Sequence, residues 1–160
     1  MTNQQKTTHE YKNDFLSIVI LPDQDRKPGT FLCCFSISLS RFRPISQGHF
    51  GICSNPAFKG LQLLRADVSA FAIKHDVTPR SSNGPACTGT SPRGDGWYHE
   101  DLMINNAPET FLPELLEFSV RDLLEKVLSV CAPDCAMPDD VSDPAKVQRY
   151  LESLSKGAAV

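Results

Sequence analysis

The sequence predicts an α+β fold, and three observations carry that reading. Between residues 15 and 104 the apolar stretches are short, rich in β-branched or aromatic residues, and separated by Pro/Gly/Asp turns. From residue 110 onward the apolar residues recur with a helical period instead. Consecutive strands followed by consecutive helices are the pattern of a sheet with helices packed against it. The expectation is a mostly antiparallel sheet over 15–104, packed against a long amphipathic helix over 110–130 and a shorter C-terminal helix over 143–156. A chain of 160 residues fits one such domain. It is placed at 14–157, with a flexible polar arm over 1–13 before it and a Pro/Gly-rich loop over 77–96 inside it.

The first strand is Phe15–Leu21, a seven-residue apolar run too short for a helix. Pro22 to Gly29 is a turn, since Pro, Asp and Gly each favour one for a separate steric or hydrogen-bonding reason. The second strand is Thr30–Phe42, where Ser36, Ser38 and Ser40 alternate with Phe35, Ile37, Leu39 and Arg41. A period of two puts one face in the core and leaves the other wetter. The two strands form a hairpin. Pro44 to Gly48 turns the chain, and His49–Cys53 is a short strand with Gly51 marking a bulge. The stretch Leu61–Ile73 carries two patterns. Leu61, Leu64, Val68 and Phe71 are spaced as in a helix, while Val68, Ala70 and Ala72 alternate. A strand ending near Lys74 is the expectation. Trp97–Ile104 is the last strand, because Trp97 and Tyr98 suit a pleated surface.

The helix over 110–130 has Pro113 near its start, where a missing N–H is harmless, and Glu114 and Glu117 in its early turns, where the helix dipole favours anions. Leu112, Leu115, Leu116, Val120, Leu123, Leu124, Val127 and Leu128 form its apolar stripe. Glu117–Arg121 and Asp122–Lys126 are i,i+4 ion pairs on the other side. The last helix has Ser142 or Asp143 as N-cap, Pro144 at its first position, and Val147, Tyr150, Leu151 and Leu154 inward. Gly157 is the expected stop.

Charge divides the chain. Residues 26–93 hold nine Lys/Arg against two Asp, about +7 net. Residues 94–160 hold five basic against thirteen acidic residues, about −8, and the first 25 residues carry about −2. A basic sheet region beside aromatic rings suits a single-stranded nucleic acid, with phosphates on cations and bases on rings. The candidate contacts are Arg41, Arg43, Lys59, Arg65, Lys74, Arg80 and Arg93 for phosphates, and Phe42 and Trp97 for stacking. Against this, the same charges spread over five segments could simply be solvated and balanced by the acidic helices.

No motif names a reaction, so no catalytic residue is assigned and an enzyme is not expected. Cys131-x-x-x-Cys135 lacks the second tight cysteine pair that structural zinc usually draws on. Adjacent Cys33 and Cys34 on a strand point to opposite faces, so buried reduced thiols are the better reading. No family signature accompanies a Cys/His nucleophile. His99 and Asp101 would share a strand face, with Glu100 on the other, which is a wet strand edge rather than a metal hydrolase site. Gly94-Asp95-Gly96 matches neither a phosphate-binding loop nor a dinucleotide fingerprint. No cofactor and no metal are expected. The polar start lacks the apolar segment of a secretory signal, and no apolar run reaches the length needed to span a bilayer, so a cytoplasmic protein without membrane contact is expected.

The segment DGWYHEDLMIN (Asp95–Asn105), leading through a turn into an acidic helix, resembles the small SpoVG-type nucleic-acid-binding proteins. The likeness covers about residues 15–125 with large insertions, and no functional residue is carried over from it. The leading expectation is a non-enzymatic binding protein that takes single-stranded nucleic acid. The alternative is a protein-binding adaptor or inhibitor, such as a mobile-element or phage protein that blocks a host complex by charge complementarity. The charge split also suits a homo-oligomer.

Overall fold

A computed structural model describes residues 9–22, 29–46, 56–81, 97–132 and 134–158. The architecture is α+β. Five strands, β1 (His9–Lys12), β2 (Leu16–Pro22), β3 (Phe31–Ser38), β4 (Thr78–Ser81) and β5 (Trp97–Asn105), form one sheet in the order β1-β2-β3-β5-β4. Every neighbouring pair is antiparallel. The helices are α1 (Leu39–Ser46), α2 (Pro56–Lys74), α3 (Leu112–Cys131) and α4 (Pro144–Ala158), with a 3-10 turn at Glu109–Phe111 before α3.

The expected hairpin is β2–β3, in a register running from Leu16 opposite Ile37 to Pro22 opposite Phe31. The strand after Ser38 is not extended, as expected to Phe42, but helical. Ser38 Oγ accepts a hydrogen bond from the Arg41 amide at 3.3 Å, so the serine read as part of a pleat caps α1 instead. Arg41, Phe42 and Arg43 therefore sit on a helix rather than in the sheet.

The segment expected as a strand over Leu61–Ile73 lies within the nineteen-residue α2. Leu61, Leu64, Val68 and Ala72 are all fully buried at helical spacing, whereas Ala70, which a strand would have placed beside Val68 and Ala72, is exposed. Tertiary burial decided between two local periods. Asp76, at a φ of 62°, turns the chain out of α2. The residues after it, expected as the start of a structureless loop, form β4 at a sheet edge. Pro79 is tolerated there because an edge strand can leave one N–H position unused. Residues 82–96 of that loop and the expected strand at 49–53 lie outside the described residues.

The polar arm is corrected too. From His9 it pairs with β2, and Tyr11 buries its ring opposite Ile18. One aromatic ring among polar neighbours leaves no hydrophobic run to read. The turn is set by Asn13, whose Oδ1 accepts from the amides of Phe15 (2.8 Å) and Leu16 (3.0 Å). Residues 1–8 are outside the described set.

The core lies between the inward face of the sheet and α2 and α3. Ile18, Phe35 and Leu102 are among the buried strand residues, and Leu115, Leu123 and Leu124 come from α3. The two expected ion pairs on α3 are present, Arg121 to Glu117 at 3.6 Å and Lys126 to Asp122 at 2.6 Å. Lys126 also donates to Asp67, which ties α3 to α2. Asp143 caps α4, its Oδ1 accepting from the Ala145 amide at 3.0 Å, and the helix continues past the expected stop at Gly157 to Ala158. It is tethered to the β1–β2 turn. Asn13 Nδ2 donates to the Pro144 carbonyl, and Asp14 and Gln148 exchange two hydrogen bonds, all at 3.0 Å.

Burial pushes the Cys33 thiol and the Tyr11 and Tyr98 phenols above their ordinary values, with nearby acids adding to the effect for the phenols. Burial alone would lower the Lys126 ammonium, but hydrogen bonds to Asp122 and Asp67 hold it above its usual range. Each of these groups binds its proton more tightly in the folded chain. Their contribution is full below about pH 8.5 and is lost as pH climbs past about 8.5 for the thiol and about 10 for the phenols and Lys126. The urea midpoint is expected to fall steadily over that alkaline range. A flat midpoint from about pH 8 to about pH 11 would refute it.

Candidate functional site

The residues expected to hold nucleic acid fall on several elements. Arg41 is exposed on α1, with its guanidinium 3.7 Å from Asp14. Phe42, expected as a stacking ring, is fully buried and meets Phe15 edge-on, with centroids 5.3 Å apart. It points inward because α1 packs its apolar side on the core, which a strand reading could not foresee. Arg65 turns toward the sheet. Its Nη1 donates to Glu100 Oε1 at 2.5 Å, and Glu100 is only 2% exposed. Lys74 is exposed at the end of α2. Arg43 lies on α1, Lys59 on α2 and Arg80 on β4; Arg93 is outside the described residues. Trp97 begins β5, half-buried, on the sheet face that points away from the core.

That outer face carries one exposed large apolar side chain, Leu21, beside half-buried neighbours, with Ser17, Ser36 and Met103 buried. Strand pairing sets its side chains in rows across the sheet. One row reads Lys12, Ser17, Ser36, His99; the next reads Glu10, Val19, Cys34, Asp101; the third reads Leu21, Leu32, Met103. Val19, Leu21, Leu32, Cys34 and Met103 are therefore contiguous, on three adjacent strands. Leu21 is 36% exposed and Val19, Leu32 and Cys34 are half-buried, while Met103 is buried. Glu10 and Asp101 stand at the two ends of the row through Val19 and Cys34. Polar groups border the patch on one side, where Ser36 Oγ and His99 Nδ1 lie 2.7 Å apart.

His99 and Asp101 share this face, with Glu100 on the other, as the alternation requires. Cys33 is buried while Cys34 faces outward, so the adjacent thiols cannot ligate one ion together. Among the described residues no group of three His, Cys, Asp or Glu side chains is placed to hold a metal ion. No described helix is long and apolar enough to cross a membrane.

Sequence reading missed the patch. Leu21, Leu32 and Met103 fall in three separate segments, and only the register makes them neighbours. The one available signal was Leu21 and Leu32, which flank the hairpin turn and so had to pair in any hairpin built on it. No family model matches the chain, and no curated protein or solved structure matches it.

Proposed function

We propose that this chain is a non-enzymatic binding protein, an adaptor or inhibitor, that holds a protein partner on the outer face of its sheet. The observation that carries the reading is the contiguous apolar patch of Val19, Leu21, Leu32 and Cys34, in which Leu21 is 36% exposed and the other three are half-buried. Apolar surface of this kind, rimmed by polar groups, is the usual mark of a protein contact. Charge selects the partner's character. Carboxylates at both ends of one row, Glu10 and Asp101, favour a partner whose apolar centre is flanked by cations.

A photo-reactive side chain in place of Leu21, in cells that make the protein, is expected to capture one partner at a discrete mass. Leu21→Asp should abolish binding of that partner and leave the melting temperature nearly unchanged, since the position is partly exposed. Absence of any discrete adduct would overturn the reading.

Single-stranded nucleic acid is the second reading, favoured by Trp97 and His99 on this same face. It predicts binding that weakens steeply with salt, as displaced counterions require, and that is lost in Trp97→Ala. No binding at low salt would remove it.

A further inference from the structure

β1 is an end strand of the sheet, and one of its sides carries no partner strand among the described residues. Strand alternation says which groups face that side. The Asn13 amide donates to the Leu16 carbonyl at 3.0 Å, so these two residues are a hydrogen-bonded pair at the turn. Such pairs recur at every second residue of an antiparallel ladder. Tyr11–Ile18 and His9–Ile20 are therefore the bonded pairs of β1 and β2. The N–H and C=O groups of Glu10 and Lys12 point the other way, to the free edge. The β2–β3 ladder agrees. The Ser38 amide donates to the Phe15 carbonyl, which aims the odd-numbered residues of β2 at β3 and the even-numbered ones at β1.

An open edge is a template for another strand, and proteins often guard it with a short strand and charged side chains. β1 is short, but its two charges have opposite signs. Glu10 and Lys12 are both exposed on the outer face of the sheet, and neither is in an ion pair among the described residues.

We propose that β1 pairs antiparallel with β1 of a second copy about a two-fold axis at Tyr11, which sets Glu10 of each copy opposite Lys12 of the other. The edge groups select this register. Within β1 only Glu10 and Lys12 offer bonding groups, so each must stand opposite one of the same two residues. A two-fold axis at Glu10 would set two carboxylates face to face. An axis at Lys12 would oppose two ammonium groups and place Glu10 against Asp14. Like charges directly opposite are destabilising, and opposite charges stabilise. An axis at Tyr11 gives opposite charges at both ends, and each Glu10–Lys12 pair then exchanges both of its main-chain bonds. In a two-fold contact residue i meets j and j meets i, so the two pairs form together. The product is one sheet running through both copies. The contact is a four-residue strand on each side, below the roughly 1,200 Å² of a standard interface, so the association is weak and concentration-dependent. It uses the edge of the sheet and leaves Val19, Leu21, Leu32 and Cys34 uncovered, so it stands whether or not that face holds a protein.

Sedimentation velocity on the full chain tests it. The sedimentation coefficient is expected to rise between about 5 µM and about 500 µM, the range where a contact this small associates. Glu10→Lys and Lys12→Glu, each alone, oppose like charges at both ends of the contact. Each should raise the dissociation constant at least about tenfold and leave the melting temperature nearly unchanged, since both positions are exposed. The double exchange Glu10→Lys/Lys12→Glu should restore dimer, and so should an equal mixture of the two single variants. Hydrogen exchange at the Glu10 and Lys12 amides should slow as dimer forms, while the Tyr11 amide, already bonded inside the sheet, keeps its rate. A chain that stays monomeric throughout, as one whose edge takes an extended segment of another protein would, overturns the proposal. So does a dimer indifferent to the charge reversals, or one whose edge amides exchange no more slowly than in the monomer.

Discussion

Arg65→Ala is expected to cost about 3–5 kcal/mol of stability, the penalty for breaking a buried ion pair by removing one partner. Glu100 projects from β5 into the core face of the sheet, level with Phe35, and is 2% exposed. Its Oε1 is met by Arg65 from α2, and its Oε2 has no hydrogen-bond partner among the described residues. Without the guanidinium the carboxylate is left in an apolar setting with nothing to offset its lost hydration. Glu100→Gln should cost clearly less, because Arg65 is 26% exposed and can turn its charge to water. The double variant Arg65→Met/Glu100→Leu should recover most of the loss, as apolar replacements of buried pairs often do. Urea denaturation of the three variants measures this. A loss under about 1 kcal/mol for Arg65→Ala would mark the pair as an ordinary surface contact.

Phe42→Ala is expected to destabilise the chain by about 3–5 kcal/mol, the usual cost of emptying a buried aromatic site. Phe42 is fully buried against Phe15 where α1 closes one end of the core, near α3 and α4. At this chain length such a loss lowers the melting temperature by about 10 °C. The experiment also separates two roles. A ring that stacks on a base would leave the melting temperature in place and weaken ligand binding alone. Calorimetry on the free protein therefore decides whether Phe42 belongs to the fold or to a site.

Elements whose signal is strong and local were legible in advance. α3 repeats its apolar stripe over more than four turns and carries Pro113 in its first turn. The β2–β3 hairpin combines two apolar runs with one rich turn, and α4 announces itself by Asp143 and Pro144. Elements with mixed or weak local signals were not. α2 carries helical and alternating patterns at once, and Ser38 fits both a pleat and a cap. β1 offers a single buried aromatic ring, and β4 contains Pro79. Of the candidate site, Trp97 was placed on a strand correctly. Phe42 and Arg65 were not, because burial and ion pairing are contacts with distant residues.

By itself the sequence determined the α+β class, the β2–β3 hairpin, the last strand and the two C-terminal helices. Those follow from spacing, turn chemistry and capping, which act between residues a few positions apart. The tertiary structure alone decided that α2 is a helix, that Arg65 is drawn inward by Glu100, and that Leu21, Leu32 and Met103 stand in one row across the sheet. Each of these depends on strand register and on which faces are buried, and so on pairings between residues far apart in the chain.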